Sequence, residues 1–112
     1  MCLFCKIAGK QIPSKIAFED DDLLAFHDIT PVAPTHILVI PKQHITSLAD
    51  ASAEHQALLG KLLLAARRAA EEAGLLSSGF RVVLNTGPNA GQSVFHVHVH
   101  VLGGRGMAWP PG

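Results

Sequence analysis

Histidine and valine alternate three times in "HVHVHV", residues 96 to 101, and seven histidines fall in a chain of 112 residues. Imidazole at this density serves as acid or base, as nucleophile, or as metal ligand, because its lone pair is free near neutral pH. Period-two alternation on a strand puts His96, His98 and His100 on one face, with Phe95, Val97, Val99 and Val101 on the other, turned toward a core. Same-face residues lie about 6.6 Å apart, so the outer two histidines are about 13 Å apart at their backbones, and a straight strand does not converge all three on one ion. One or two of them suit a metal, a solvated histidine-rich face is the bland reading, and acid, base and nucleophile chemistry on a rigid strand is the third. The preceding loop "GPNAGQS" favours the third, since Gly91, Gln92 and Ser93 offer unshielded backbone N–H groups and a hydroxyl, the makings of a phosphate cradle. Asn85 adds an amide if its strand is a neighbour.

Cys2 and Cys5 form a second chemical signal. Two cysteines cannot build a disulfide framework, and a C-x-x-C at the very start of the chain, with no strand before it, reads as half of a metal site rather than a redox pair.

Strands and one helix must hold these residues. The runs "SKIAFE" (14–19) and "LLAFHDI" (23–29) flank the charged turn Asp20 to Asp22 and read as a hairpin. "THILVIP" (35–41) is apolar on both faces, as a central strand is, and Pro31, Pro34 and Pro41 forbid helix there. Ser52 is an N-cap for a helix in which Leu58, Leu59, Leu62, Leu63, Ala66 and Ala70 recur at helical spacing, with Lys61, Arg67, Arg68 and Glu71 opposite and Gly74 as the stop. "FRVVLN" (80–85) and "VFHVHVHVL" (94–102) are two more strands, and "LFCKIAGK" is a helical turn. The pattern is an α+β domain, 1–112, built on an antiparallel sheet.

Composition narrows the function classes. Apolar residues make up 48 % and the formal net charge is zero, so no electrostatic footprint for nucleic acid or an anionic membrane is present. The apolar runs are too short to span a bilayer and no signal-peptide pattern opens the chain, which predicts a soluble cytoplasmic protein.

The same residues carry a family resemblance. "HVHVHV" fits the H-φ-H-φ-H-φ-φ motif, φ being apolar, of the histidine triad superfamily, and the chain resembles its Hint branch of nucleotide-binding phosphoramidases over nearly its whole length: "IPSKIAFEDDDLLAFHDITPVAPTHILVIPKQHI", "GQSVFHVHVHVLGGR" and the tail "MAWPPG". The resemblance implies a HIT-like fold, with an antiparallel five-stranded sheet, one long helix and a short N-terminal helix, in a homodimer whose sheets adjoin. It implies cleavage of the P–N bond of purine nucleoside 5′-phosphoramidates through a nucleotidyl-histidine intermediate. His98 then matches the nucleophile, His100 and Ser93 the positions that hold the phosphate and assist the leaving group, and His36 the histidine that backs the triad. Asn85, Gly91, Gln92 and the backbone at Val94 match the phosphate side, Asp28 the grip on the ribose, and Leu3, Phe4, Ile7, Phe26, Ile29 and Leu38 the slot for the purine. Of these, Phe26 and Leu38 read equally as core. No metal is needed for the chemistry. Some bacterial relatives with the N-terminal C-x-x-C complete a structural zinc site with the positions matching His44 and His96; a metal-bound His96 cannot shuttle protons, which throws that role onto His36 or His100. Histidine at 100, with the tail present, favours this branch over the nucleotidyltransferases and the dinucleoside polyphosphate hydrolases. A nucleotide-binding regulatory protein with little turnover and a zinc-stabilised module remain as alternatives from other classes.

Overall fold

Asp20 makes the first hairpin: its Oδ1 accepts the N–H groups of Asp22 and Leu23, both at 2.8 Å, and turns β1 (Ile16–Glu19) back onto β2 (Leu23–His27). The computed structural model describes residues 2–112. It adds α1 (Leu3–Ala8), β3 (Thr35–Pro41), α2 (Gln56–Glu72), β4 (Phe80–Val83) and β5 (Val99–Gly103). All strands pair antiparallel in the order β1-β2-β3-β5-β4. β3 is the middle strand, buried from His36 to Pro41, as its run of apolar residues on both faces requires.

The two faces of the sheet carry separate clusters. On one, Ala25, Val39, Val99 and Val101 pack against Leu62, Ala66 and Ala70 of α2, whose small side chains let the helix lie close to the strands. On the other, Leu24, Phe26, Leu38 and Ile40 pack against Phe4 and Ile7 of α1. Where α2 returns to the sheet, a Cβ on Gly103 would lie 2.4 Å from Leu75 Cδ1, so any side chain there requires Leu75 to move.

Several sequence-based boundaries move. The last strand begins at Val99, not Val94, because β3 has no further ladder to offer: the Pro41 carbonyl is taken at 2.7 Å by the His96 ring, and the Val97 N–H goes to Ile45 O at 2.7 Å. The alternation survives this change, with Val97 buried in the α2 cluster and His96 and His98 buried on the other side. Phe95 lies beyond it and is exposed rather than in the core. β4 stops at Val83, leaving Asn85 in the following loop, and β1 and β2 are shorter than the runs 14–19 and 23–29. Ser52 caps a 3-10 turn, Ala53–His55, with the His55 ring accepting the Ser52 N–H in return at 3.0 Å, and α2 starts one residue later. Leu63 is exposed, because Ala65 and Ala69 fill the buried stripe in its place. Among the described residues no helix is long and apolar enough to cross a membrane.

Candidate functional site

The α1 face of the sheet opens into a cavity of about 330 Å³. Leu3, Phe4 and Ile7 from α1 form one wall, and Phe26 and Leu38 from β2 and β3 the floor. Asp28, Ile29, Ser93, Val94, His98 and His100 gather along the remaining side. The volume and the apolar walls with few polar groups are those of a small-molecule site. Phe4 sets its ring edge-on to both Phe26 and His98, at centroid distances of 5.6 and 5.0 Å, so α1 touches the slot and the imidazole together.

The histidines differ in their hydrogen bonds, and the bonds assign their tautomers. His98 Nδ1 lies 2.7 Å from the carbonyl oxygen of His96, so Nδ1 carries the proton and donates, leaving the Nε2 lone pair free. His36 Nδ1 accepts the Val32 N–H at 3.2 Å, which puts its proton on Nε2; that N–H donates to His100 Nδ1 at 2.9 Å, with Asp28 Oδ2 at 3.4 Å beside it. His100 in turn keeps its proton on Nε2. Burial, with the nearby His98 and His36 rings, holds His100 down to about 4, so it is neutral at pH 7; Asp28 works weakly against this. Burial also lowers His36, again partly opposed by Asp28. A free lone pair on His98 thus stands beside an N–H donor on His100.

A second constellation sits behind the cavity. Cys2 at the N-cap of α1, Cys5 within it, His44 in the loop after β3 and His96 bring their ligand atoms within 4.8 Å of one another. The sulfur to Nδ1 distances run from 3.3 to 3.5 Å and the two Nδ1 atoms are 3.2 Å apart. A tetrahedral ion with Zn–S about 2.3 Å and Zn–N about 2.0 Å has edges of about 3.5 and 3.3 Å. His96 donates its Nε2–H to Pro41 O, so its Nδ1 is a lone pair aimed at His44 Nδ1 and the two sulfurs, a set suited to sharing one cation. Burial lowers the His96 pKa, favouring the neutral ligand form. The residues fit the group.

Comparison with known proteins agrees with this geometry. The model of the HIT domain family matches residues 9–107. The chain belongs to the HIT family. A HIT family hydrolase from Legionella pneumophila Philadelphia 1 superposes with a TM-score of 0.98 at 49 % identity, with all of both chains covered. An Arabidopsis thaliana relative named adenylylsulfatase HINT1 is 53 % identical over 98 % of this chain and 76 % of its own length. A Zea mays relative named 14 kDa zinc-binding protein is 54 % identical over 98 % of this chain and 87 % of its own.

In this HIT protein most of the residues singled out from sequence converge. Leu3, Phe4, Ile7, Phe26, Asp28, Ile29, Leu38, Ser93, Val94, His98 and His100 line the one cavity, and His36 touches it through His100. His96 does not line it; its ring faces the cysteines. The buried side chain of Gln92 staples the loop, accepting the Gly87 N–H at 2.9 Å and donating to Thr46 O and Val94 O. The N–H groups of Gly91 and Gln92 are spent inside the same loop, on Pro88 O and Gly87 O, so neither is a free cradle donor. Asn85 lies two residues past Val83, the partner of His100, and the antiparallel direction carries it toward His98, outside the cavity lining. Ile12, Pro13, Ser14, His27 and Thr30 also line the cavity and are absent from the sequence reading. For Thr30 a signal exists, the Asp-x-Thr spacing by which Asp28 Oδ1 accepts its N–H at 2.8 Å.

Proposed function

We propose that this HIT hydrolase cleaves purine nucleoside 5′-phosphoramidates by covalent catalysis at His98. The observation that carries the reading is the free Nε2 of His98, held by the Nδ1 to His96 carbonyl bond, in a cavity that also holds Asp28, Ser93 and the His100 N–H. The purine lies between the α1 wall and Phe26 and Leu38, with Asp28 on the ribose hydroxyls. His98 Nε2 attacks the α-phosphorus, the P–N bond to the amine breaks, and the amine leaves with a proton relayed from the His100 side; Ser93 and the backbone at Val94 hold the phosphate oxygens. Water then attacks phosphorus and gives up a proton to the His100 side, replacing the one the amine took, the bond to His98 breaks, and the nucleoside monophosphate departs with the imidazole neutral again. The test is His98→Ala: turnover of adenosine 5′-phosphoramidate falls to background while adenosine monophosphate still binds. Substantial residual turnover overturns the mechanism.

The same attack on adenylyl sulfate, with sulfate as the leaving group, is a second reading, favoured by the name of the Arabidopsis relative.

Zinc is the ion we propose for Cys2, Cys5, His44 and His96. The donor set is two thiolates and two imidazoles in tetrahedral spacing, and the maize relative bears a zinc-binding name. Bound there, it supplies a structural cross-link with no open position for substrate. Metal analysis of untagged protein should find about one zinc per chain, since four protein ligands close one site; a Cys2→Ser, Cys5→Ser double variant that keeps the metal sinks the assignment.

A two-fold homodimer is also proposed, supported by the unpaired edge of β4, where Val82 is exposed, and by the tail, where Trp109 is exposed while Arg81 donates to Ala108 O at 2.9 Å.

A further inference from the structure

Arg105 is exposed, lies after the last strand and lines no part of the cavity, yet its bonds lead into it. Its Nε donates to the Val32 carbonyl at 3.1 Å, and its Nη1 donates to Gly106 O at 3.1 Å, which fixes the guanidinium across the tip of the loop between β2 and β3. Gly104 makes room for that contact: its φ is +90°, and a Cβ there would lie 2.8 Å from Pro34 Cβ. Val32 is the residue whose N–H reaches His36 Nδ1 at 3.2 Å. Among the described residues, no other side chain donates to the loop from Pro31 to Pro34.

We propose that Arg105 is a positioning residue which, by holding Val32, keeps His36 in its Nε2–H form and so keeps the His100 N–H pointed at the reacting group. The argument is one of donor direction. A neutral His36 that accepts from Val32 must donate through Nε2, and His100 must then accept at Nδ1 and present Nε2–H. Once the loop is loose, His36 can carry its proton on Nδ1 and accept at Nε2 from His100 Nδ1–H. His100 then turns a lone pair toward the cavity, and the site has two imidazole acceptors and no imidazole proton for the leaving amine. Asp28 Oδ2, 3.4 Å from His36 Nε2, favours the productive form too, but at a length that is marginal for a hydrogen bond, so the Val32 N–H is the better-placed partner.

The test reads tautomers directly, by ¹⁵N chemical shifts of the His36 and His100 rings, in wild type, Arg105→Ala and Arg105→Lys. Arg105→Ala should show a mixed His36 signal and a drop in kcat for adenosine 5′-phosphoramidate of about tenfold, part of the roughly 10²- to 10⁴-fold that a proton donor contributes, with KM little changed. Arg105→Lys, whose single ammonium can still reach Val32 O, should restore most of both. Unchanged tautomers in a folded Arg105→Ala protein overturn the proposal, whatever happens to kcat. The kinetic arm rests on the phosphoramidase reading and the spectroscopic arm does not, so absence of turnover in wild type with the tautomer shift intact would count against that reading alone. Should Arg105→Ala fail to fold, Arg105→Met, which keeps the aliphatic stem and has no N–H donor, serves in its place with the same two readouts.

Discussion

His98 and His100 are two residues apart and chemically opposite, one offering a lone pair and the other an N–H, because one ring is tied to a carbonyl and the other to a ring that donates. A leaving-group test separates their parts. An amine needs a proton to depart and sulfate does not, so His100→Gln should reduce kcat on the phosphoramidate by roughly 10²- to 10⁴-fold and on adenylyl sulfate far less. Equal losses on both substrates would mean that His100 serves the phosphate alone. The same ring also makes stability depend on pH. Its pKa is about 4 in the fold against 6.5 free, so between those values the unfolded chain binds more protons; the contribution is complete above pH 6.5 and is lost as the pH falls toward 4. Denaturant unfolding of His100→Gln should therefore show a shallower pH slope in that window, by up to about 1.4 kcal/mol per pH unit. Identical slopes would show that His100 takes up its proton without cost in the fold. Alternation alone tells only that 96, 98 and 100 share a side; that His96 goes with the cysteines is legible through the family resemblance, and that its other ring nitrogen turns back to Pro41 is legible only in the fold.

At the scale of elements, α1 is the piece on which site and metal both depend, since it carries Cys2 and Cys5 on one side and Leu3, Phe4 and Ile7 on the other. Removing the metal by chelation, or replacing both cysteines with serine, should loosen α1 and weaken adenosine monophosphate binding more than it lowers kcat at saturation. Binding as tight in the stripped protein as in the intact one would show that α1 holds its place unaided. Gly103 gives a second element-level test: Gly103→Ala drives a methyl into Leu75 and should destabilise by about 1–3 kcal/mol, and the double variant with Leu75→Ala should lose less than the sum of the two single losses. Among the elements, "THILVIP" is readable as the central strand because nothing but burial on both faces explains its composition. The triad segment is not readable as two parts, strand and loop, because its alternation continues past the point where hydrogen-bonding neighbours end. The part played by the Gln92 side chain is not readable either, because only the folded loop brings Gly87, Thr46 and Val94 to its amide.

For the whole molecule, the proposed dimer predicts twice the chain mass in equilibrium sedimentation at micromolar concentration, and a monomer there would count against it. Deleting residues 107–112 removes no strand, so the shortened protein should unfold at nearly the same denaturant concentration while its preference among leaving groups changes. Unchanged preference would free the tail of any part in the site. The two clusters on opposite faces of the sheet have an evolutionary meaning. Neighbouring residues along β2, β3 and β5 belong to different sides, so a substitution at Phe26 or Leu38 reshapes what is recognised while Ala25 and Val39 go on anchoring α2. In a scan of all single substitutions, tolerance along these strands should alternate between two selection regimes, growth rescued by stability on odd positions and by substrate choice on even ones. One thin sheet thereby lets descendants of the chain exchange ligands without renegotiating the fold.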